Sequence, residues 1–350
     1  MSWHAGVLGD VLTLKRGHDL PDSRRQDGDV PVVSSSGITG HHNEAKAKGP
    51  GVVTGRYGTI GEVFYLQEDY WPLNTALYVT DFKGNHPRFV AYFLRNILAN
   101  YESSKAAVPG VNRNVLHALP VKYPDVTFQD RIADILSAYD DLIENNRRRM
   151  ALLEEAARQL YHEWFIRLRF PGHEHTRSTG GAPEGWQRKT LGDLAVLNYG
   201  KALKSTSRVD GPYPVYGSSG VVGHHEAALV TGPCIVVGRK GNVGSVYWCP
   251  QRFWPIDTVY YIDSDASNLW LYYALRHTQF INTDGAVPGL NRTFASSRLL
   301  LVPARPVLRL FLEVVEPLHD QMTTLRETNT KLRAAGDLLL PRLMSGEIAV

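Results

Sequence analysis

Two long segments of the chain carry apolar residues at every third or fourth position, a spacing typical of amphipathic helices. The first extends from about Phe128 to Leu168 and ends before Pro171-Gly172, where a helix cannot continue. The apolar positions of the second alternate in steps of four and three and so form a heptad seam. This seam consists of Phe311, Val315, Leu318, Met322, Leu325, Asn329 and Leu332.

A helix of about 40 residues is about 60 Å long, and one with a single apolar face needs a partner for that face. The two segments therefore predict an antiparallel coiled coil between them. Pro317 lies inside the second pattern and predicts either a kink or the start of a new helix. Asn146 and Asn329 lie at or near the seams, where a polar residue is a hypothesis for fixing the helix register.

Short apolar runs separated by glycine and proline precede each long helix, and they predict strands joined by tight turns. In the first half these runs flank a glycine-rich segment, residues 55–61, and in the second half they flank residues 238–244. A short helix is predicted after each group of strands, over residues 88–98 and 269–277. Both halves therefore have the same order of elements.

The two halves are copies of one ancestral segment. Residues 31–78 align with 214–261 at an offset of 183, with 21 identities in 48 ungapped positions. Further along, residues 107–113 match 286–292 at an offset of 179. Similarity over this length indicates a tandem duplication, and copies of this size are domains rather than solenoid repeats.

The predicted fold class is α+β, with two tandem strand-rich domains separated by two long helices packed as an antiparallel coiled coil in a pseudo-twofold repeat. The first domain is predicted over residues 1–127 and the second over 186–305. A central helix is predicted over 128–172, a polar linker over 173–185, and a C-terminal helix with its tail over 306–350.

The composition argues against a membrane protein. No run of about 18 apolar residues occurs, and the start Met1-Ser2-Trp3-His4 lacks the features of a signal peptide. Cys234 and Cys249 are too few for a disulfide framework or a four-thiolate zinc site. We therefore expect an intracellular, cytoplasmic protein. The net charge of +3 permits nucleic-acid binding but does not demand it.

Paired histidines, His41-His42 and His224-His225, recur in both copies. Neighbouring residues on a strand point to opposite faces, so such a pair rarely binds one metal ion. No carboxylate or cysteine at metal-ligand spacing accompanies both pairs. We therefore expect no metal, and the simpler interpretation is that these are polar turn residues or hydrogen-bond donors on a loop.

Each glycine-rich segment holds an arginine, Arg56 or Arg239, next to Tyr57 or Lys240. The segments lack the Gly-Lys-Ser/Thr ending of a P-loop, and strand formers follow them, so β-turns are predicted. An arginine at the tip of a hairpin can contact a phosphate or donate two hydrogen bonds to a guanine edge.

Asn112-Arg113 and Asn291-Arg292 follow Val-Pro-Gly in both copies and lie on a predicted loop. Asparagine and arginine pair bidentately with adenine and guanine, respectively. The alternative is that these residues cap the following helix or fix the loop, and both interpretations stay open. No nucleophile motif with a partner acid is present in both copies, so no catalytic constellation is predicted.

These features resemble the specificity subunit of type I restriction–modification systems. The resemblance rests on residues 37–61, on Trp71-Pro72-Leu73-Asn74-Thr75, on the helix from Gln129 to Phe165, and on the C-terminal stretch 337–348. It covers nearly the whole chain, and the combination of motifs is highly specific.

The resemblance implies that each strand-rich domain is a target-recognition domain for one half of a split DNA site, with the paired helices setting the gap. It implies two methyltransferase subunits that carry S-adenosylmethionine and methylate adenine, and restriction subunits that use ATP and Mg²⁺. The chain itself is then non-catalytic and has no cofactor. Because the chain is short for the family, a methyltransferase-only system or a bifunctional enzyme with a separate recognition subunit stays an alternative.

The expected DNA contacts lie on the loops of both domains. They are Arg56, Tyr57, His41, His42, Lys46, Lys48, Asn112 and Arg113 in the first domain, and Arg239, Lys240, His224, His225, Asn291 and Arg292 in the second. The expected partner contacts are Trp164, Phe165, Leu339 and Pro341. Because the loops differ in sequence, as where Tyr57 becomes Lys240, the two half-sites are expected to be related but unequal.

Two other classes of function compete with this one. An independent enzyme that uses His41-His42 would hold a bound metal ion. A coiled-coil scaffold without a DNA role would show no salt-dependent DNA binding, and the small net charge of +3 slightly favours it. The duplication with an arginine in each loop favours DNA recognition.

Overall fold

A computed structural model describes residues 2–56, 61–99, 111–280 and 289–350. The chain divides into two compact units, one formed by Met1–Asn146 with Glu327–Val350 and the other by Arg147–Arg326. Each unit contains one copy of the strand-rich repeat and part of each long helix. The predicted α+β class with two tandem strand-rich domains is confirmed.

The first repeat and the long helix after it have the following elements. The strands are β1 (Trp3–Val7), β2 (Thr13–Arg16), β3 (Val30–Ser34), β4 (Gly37–His42), β5 (Gly51–Gly55), β6 (Val63–Leu66), β7 (Trp71–Pro72), β8 (Ala76–Asp81) and β9 (Pro120–Pro124). The helices are α1 (Leu8–Val11), α2 (Pro87–Ala99), α3 (Arg113–His117) and α4 (Val126–Tyr161).

The linker and the second repeat follow the same plan. A short hairpin of β10 (Ser178–Thr179) and β11 (Ala182–Pro183) occupies the linker. The later strands are β12 (Gln187–Thr190), β13 (Asn198–Tyr199), β14 (Tyr213–Gly217), β15 (Gly220–His225), β16 (Cys234–Gly238), β17 (Val246–Cys249), β18 (Trp254–Pro255), β19 (Val259–Ile262) and β20 (Leu299–Val302). The helices are α5 (Leu191–Leu194), α6 (Leu269–His277), α7 (Arg292–Ser296) and α8 (Arg305–Ser345).

The two units have the same sheet topology. In the first, a four-stranded sheet has the order β2-β8-β5-β6 and a three-stranded sheet has the order β4-β3-β7. In the second, the orders β13-β19-β16-β17 and β15-β14-β18 repeat this arrangement. The outer strands also pair in each unit, β1 with β9 and β12 with β20. The sequence duplication is therefore a duplication of the fold.

Each four-stranded sheet separates two cores, because alternate side chains of its inner strands point to opposite faces. The inner strands β5 and β16 show this most clearly. Val52 on β5 belongs to the core beneath the helices, whereas Val53 packs with Tyr78 in the other core. Ile235 and Val236 on β16 divide in the same way. Burial on both faces accounts for the uninterrupted apolar sequence of these strands.

In the first unit, parts of α4 and α8 run antiparallel. Leu136 on α4 shares a core with Leu340 on α8, and further along α4 the Ile143 carbonyl accepts a hydrogen bond from Asn329 Nδ2 at 3.2 Å. Contact positions thus rise along one helix as they fall along the other.

Among the residues that the structure describes, no helix is long and apolar enough to cross a membrane.

In the second unit, α4 ends at Tyr161 and continues into a π-helical turn, His162–Ile166, so the helical segment stops before Pro171 as predicted. Phe165 in this turn packs edge-on against Phe311 on α8, with ring centroids 4.8 Å apart. The predicted pairing of the long helices is thus present in this unit as well.

Helix α8 runs through Pro317 without a break, so a new helix start at this residue is a wrong prediction. A proline in a helix interior costs about 3 kcal/mol or more, because it removes one hydrogen bond and crowds the preceding turn. Packing offsets this cost, since Val315 and Met322 on either side are buried. The periodic apolar pattern thus predicted the continuity of α8 correctly, and a kink at Pro317 stays a prediction.

Candidate nucleic-acid interface

In the second unit, the glycine-rich segment after β16 is fastened to the segment that precedes α7. The amides of Arg239 and Lys240 both donate to the Thr258 carbonyl, at 2.8 and 3.1 Å. The Leu290 amide donates to the Arg239 carbonyl at 2.8 Å, and Lys240 forms a β-bridge with Gly289. Two loops that are distant in sequence therefore present one surface.

Four side chains gather on this surface, Tyr199, Arg239, Tyr260 and Arg292, and we call them the arginine–tyrosine cluster. The Arg239 guanidinium lies 5.0 Å from the centroid of the Tyr199 ring and 5.8 Å from that of Tyr260. The Arg292 guanidinium lies 5.6 Å from the Tyr199 ring centroid. One aromatic ring therefore holds two cations, because the negative face of the ring attracts each of them.

Hydrogen bonds hold the cluster in place. Arg239 Nη1 donates to the Asp257 carbonyl and the Tyr260 hydroxyl donates to the Leu290 carbonyl, each at 2.9 Å. Burial raises the pKa of Tyr260, so its hydroxyl stays a neutral donor at neutral pH. Tyr199 is 51% exposed, which leaves the cluster accessible to a ligand.

The chemistry of the cluster suits a phosphate or a base edge. A guanidinium carries five donors in a planar fork that matches two acceptors, either phosphate oxygens or the O6 and N7 atoms of guanine. Stacking on tyrosine restricts the motion of the fork, so less entropy is lost when a ligand binds. Arg239 and Arg292, both predicted from the sequence, are brought together by this arrangement.

The first unit repeats two backbone hydrogen bonds of this surface. The Arg56 amide donates to the Thr75 carbonyl at 3.0 Å, and the Val111 amide donates to the Arg56 carbonyl at 2.9 Å. Arg113 is exposed and begins α3, as its counterpart begins α7. Tyr57, another predicted contact, lies outside the described residues.

The side chains of the two surfaces differ at a position where the backbone register is the same. Tyr199 is opposite Tyr260 in the pair β13–β19, and Arg16 is opposite Leu77 in the pair β2–β8. Arg16 and Leu77 lie 183 positions before Tyr199 and Tyr260, which is the offset of the sequence repeat. The exposed Arg16 therefore stands in the first unit where the second has an aromatic ring.

Tyr199 and Arg16 are absent from the contacts predicted from the sequence. The signal that could have identified them is the repeated glycine that follows each one, Gly17 and Gly200. A Cβ atom at Gly200 would lie 2.1 Å from the Ile256 carbonyl oxygen, so this close approach requires glycine. The glycine fixes the backbone beside the cluster.

The asparagines of both loops cap helices. Asn112 Oδ1 accepts from the Asn114 amide at 3.0 Å at the start of α3, and Asn291 Oδ1 accepts from the Phe294 amide at 3.1 Å at the start of α7. Of the two interpretations left open by the sequence, this geometry supports the helix cap. The cap fixes the orientation of the side-chain amide, whereas bidentate pairing with adenine would need its oxygen and its nitrogen both turned to the base edge. The arginine after each asparagine stays a predicted contact.

Helix α3 is anchored beside β2 by His117. Its Nε2 atom accepts the Leu14 amide at 2.9 Å. Burial, with a smaller contribution from the positive charge of Arg113, lowers the pKa of His117, so the ring is neutral at neutral pH and can accept this bond. The bond ties the helix that begins with Arg113 to the strand that ends with Arg16.

The second histidine of each pair is part of the fold. His42 and His225 are buried, and the Nδ1 atom of each accepts a backbone N–H, from Gln26 at 3.0 Å and from Val209 at 3.1 Å. Each ring also meets a tryptophan edge-on. We therefore leave both out of the proposed DNA contacts. Within the described part of the chain, no three His, Cys, Asp or Glu side chains are grouped to hold a metal ion.

The remaining predicted contacts belong to a different part of each unit. His41 and His224 point away from the buried histidines and are exposed, on β4 and β15 of the three-stranded sheets. Lys46 and Lys48 follow β4 and are exposed, and Lys46 Nζ lies 4.9 Å from the centroid of the Trp71 ring. The arginine loops, by contrast, extend from the four-stranded sheets.

The four predicted partner contacts have different environments. Phe165 is buried against Phe311 and contributes to the core of the second unit. Trp164 and Leu339 are partly buried, whereas Pro341 is exposed. A role in binding partners stays a prediction for the side chains that retain an accessible surface.

Comparison with known proteins gives matches on both repeats. The family model described as type I restriction modification DNA specificity domain matches residues 2–155 and 183–294. The type I restriction enzyme MjaIX specificity subunit of Methanocaldococcus jannaschii is 24% identical over 280 residues, which cover 71% of this chain and 65% of that protein. The EcoprrI specificity subunit of Escherichia coli is 25% identical over 142 residues, 39% of this chain and 35% of that protein.

The chain therefore spans less than two thirds of the length of these two relatives. Among solved structures, the type I restriction–modification system S subunit from M. genitalium superposes with a TM-score of 0.62 at 17% identity. The superposition covers 98% of this chain and 96% of that one. At this identity the likeness concerns the fold, and it extends over both repeats and both long helices.

Proposed function

The chain belongs to the family of type I restriction modification DNA specificity domains, and from this premise we propose that it is the specificity subunit of a type I restriction–modification enzyme. In this role it binds a bipartite site on double-stranded DNA and directs adenine methylation by its partner subunits. The observation that carries the proposal is the arginine loop in both repeats. Arg56 and Arg239 each accept, through the backbone carbonyl, a hydrogen bond from the segment that leads into a short helix.

Each unit is proposed to recognise one half of the site. The backbone hydrogen bonds that Arg56 and Arg239 have in common support half-sites that are related. The different side chains at the equivalent positions Arg16 and Tyr199 support half-sites that are unequal. A protein with a twofold repeat commonly binds DNA whose sequence has a matching symmetry. With a net charge of only +3, the attraction to DNA comes from local groups rather than from the protein as a whole.

Catalysis is assigned to the partner subunits. We propose two methyltransferase subunits that carry S-adenosylmethionine, and restriction subunits that use ATP and Mg²⁺. The surfaces described above offer hydrogen-bond donors and stacked cations, which position DNA. A methyltransferase-only system, or a bifunctional enzyme with a separate recognition subunit, would use this chain in the same way.

Co-expression with the methyltransferase subunit in a host without adenine methylation tests the proposal. Sequencing of methylated adenines is expected to give a split motif that requires both genes. An Arg56→Ala/Arg239→Ala variant is expected to abolish or relax that motif, whereas Arg309→Ala, at an exposed arginine on α8, is expected to preserve it. A methyltransferase that produces the same motif without this chain would overturn the proposal.

DNA binding by the assembled complex at several salt concentrations separates this function from that of a scaffold. Each phosphate contact releases counterions, so the logarithm of the association constant should fall with the logarithm of salt concentration by about 0.9 per contact. A complex whose DNA affinity does not depend on salt or on this chain would support the scaffold instead.

A further inference from the structure

We infer that the position occupied by Arg16 in the first unit and by Tyr199 in the second makes the two half-sites unequal. The inference rests on the proposed function, because it assigns the specificity of the same surfaces. It concerns one structurally equivalent position that carries opposite chemistry in the two repeats, a cation in one and a neutral ring in the other.

The equivalence of the two positions follows from the backbone. Arg16 and Tyr199 occupy the same register in their sheets, and each is followed by a glycine pressed against a carbonyl. A Cβ atom would lie 2.2 Å from the Leu73 oxygen at Gly17, much as it would meet the Ile256 oxygen at the second glycine. Both strand ends therefore lie equally close to the neighbouring backbone, and the two side chains begin from matching places.

In the second unit, Tyr199 acts as a positioning residue. Its ring lies 5.0 Å from the Arg239 guanidinium and 5.6 Å from that of Arg292. A neutral ring that attracts two cations lets both approach one small area and limits the orientations of each. The base contacts of this half-site are then made by the two arginines, with the exposed part of the ring available to an apolar group such as a thymine methyl.

In the first unit, Arg16 stands in place of the ring, on the sheet whose strand β5 leads into the loop of Arg56, and it adds a third arginine to Arg56 and Arg113. An arginine cannot hold two other cations by stacking as an aromatic ring does, and it adds a donor fork of its own. That fork matches the O6 and N7 atoms of a guanine. The first half-site is therefore expected to require a guanine at a position where the second half-site does not.

Reciprocal substitutions in the co-expression assay test this inference. Tyr199→Arg is expected to change the preferred base at one position of one half-site, and Arg16→Tyr at the corresponding position of the other. Methylation of the original motif should fall by about tenfold or more, within the range for the loss of a base-reading contact. In both cases the opposite half-site should keep its sequence.

Two control variants separate specificity from charge and from folding. Val196→Arg adds the same charge on the same segment, at a residue 57% exposed and outside the cluster, and should leave the motif unchanged. Tyr199→Phe is the conservative variant that keeps the ring, and it is expected to restore the recognition that Tyr199→Arg loses, as a positioning role requires. Circular dichroism of each complex confirms that the substituted chain is folded, and Arg16→Tyr provides a test that does not depend on the folding of Tyr199→Arg.

Three results would overturn the inference. One is an unchanged motif with both reciprocal variants, and another is a motif change with Val196→Arg. The third is a uniform loss of methylation on all sequences with a smaller salt slope, which would identify Arg16 as a phosphate contact. Each of these leaves the proposed function intact, because that function is tested by the split motif of the unsubstituted chain.

Discussion

Asn146 on α4 and Asn329 on α8 are hydrogen-bonded to each other in the interior of the first unit, with Asn146 Nδ2 donating to Asn329 Oδ1 at 2.8 Å. Asn329 Nδ2 in turn donates to the Ile143 carbonyl. Helices α4 and α8 begin 179 residues apart, and at this offset the counterparts of the two asparagines are Leu325 and Met150. The polar pair therefore occurs in one repeat only.

Removing one of these asparagines should cost more than removing both. Asn146→Leu leaves a buried amide without its partner, and a buried unsatisfied group costs about 1–3 kcal/mol. The double variant Asn146→Leu/Asn329→Met copies the second repeat and should recover most of that loss. Urea unfolding of Asn146→Leu, Asn329→Met and the double variant measures the free energies. Losses that simply add would contradict the pairing.

A second polar contact to the long helices exists in both repeats with different partners. In the first unit the Tyr92 hydroxyl donates to Asp140 Oδ2 at 2.6 Å, and in the second the Tyr273 hydroxyl and His319 Nε2 are hydrogen-bonded at 2.8 Å. Burial, aided by two nearby arginines, lowers the pKa of His319 from 6.5 to about 4. The imidazole is therefore neutral in the folded protein at neutral pH.

His319 should make the protein less stable as the pH falls from 6.5 to about 4. In this range the unfolded chain binds a proton at this residue and the folded chain does not, so the free energy of unfolding decreases. The shift corresponds to as much as about 3 kcal/mol at the acidic end. His319→Gln retains a polar partner for Tyr273 and should show a shallower decline in urea unfolding across this range. Equal pH slopes for the two proteins would rule out a buried neutral histidine.

Arg239 should contribute more to DNA binding than an arginine of similar type on the long helix. Arg239→Ala removes a stacked guanidinium from the arginine–tyrosine cluster and should weaken binding by about 1–3 kcal/mol if it contacts a base. The loss should be confined to sequences with the cognate base pair at one position. Arg309→Ala, where the side chain is exposed and paired with Glu313, should have little effect. Binding isotherms on a cognate duplex and on single-position variants make the comparison, and an unchanged affinity for Arg239→Ala would remove it from the proposed contacts.

Much of the architecture could be predicted from the sequence, because its signals are local or repeated. The seam from Phe311 to Leu332 predicts a helix that is present as one continuous element, and the internal repeat predicts two units of equal topology. Of the two predictions made from Pro317, the new helix start is wrong, because α8 continues through it with buried neighbours on either side, and the kink stays a prediction.

The candidate site was only partly predictable, since it depends on contacts between distant segments. Arg239 and Arg292 are conspicuous in their motifs, but Tyr199 joins them only because β13 pairs with β19 next to the loop. The histidine pairs show the reverse problem. His42 and His225 look like surface residues in the sequence, yet tertiary hydrogen bonds place them in the interior.

Asn112 should tolerate serine but not alanine, because its role in the structure is to cap α3. Serine can accept the same amide hydrogen bond, whereas alanine loses it at a cost of about 1 kcal/mol. A residue that paired with adenine would behave differently, since serine cannot make the bidentate contact. Thermal unfolding and the methylated motif should therefore both be close to those of the unsubstituted chain in Asn112→Ser. In Asn112→Ala the stability should fall while the motif stays the same. A changed base preference in Asn112→Ser, with stability unaltered, would instead return this asparagine to the set of base contacts and leave the cap as a secondary role.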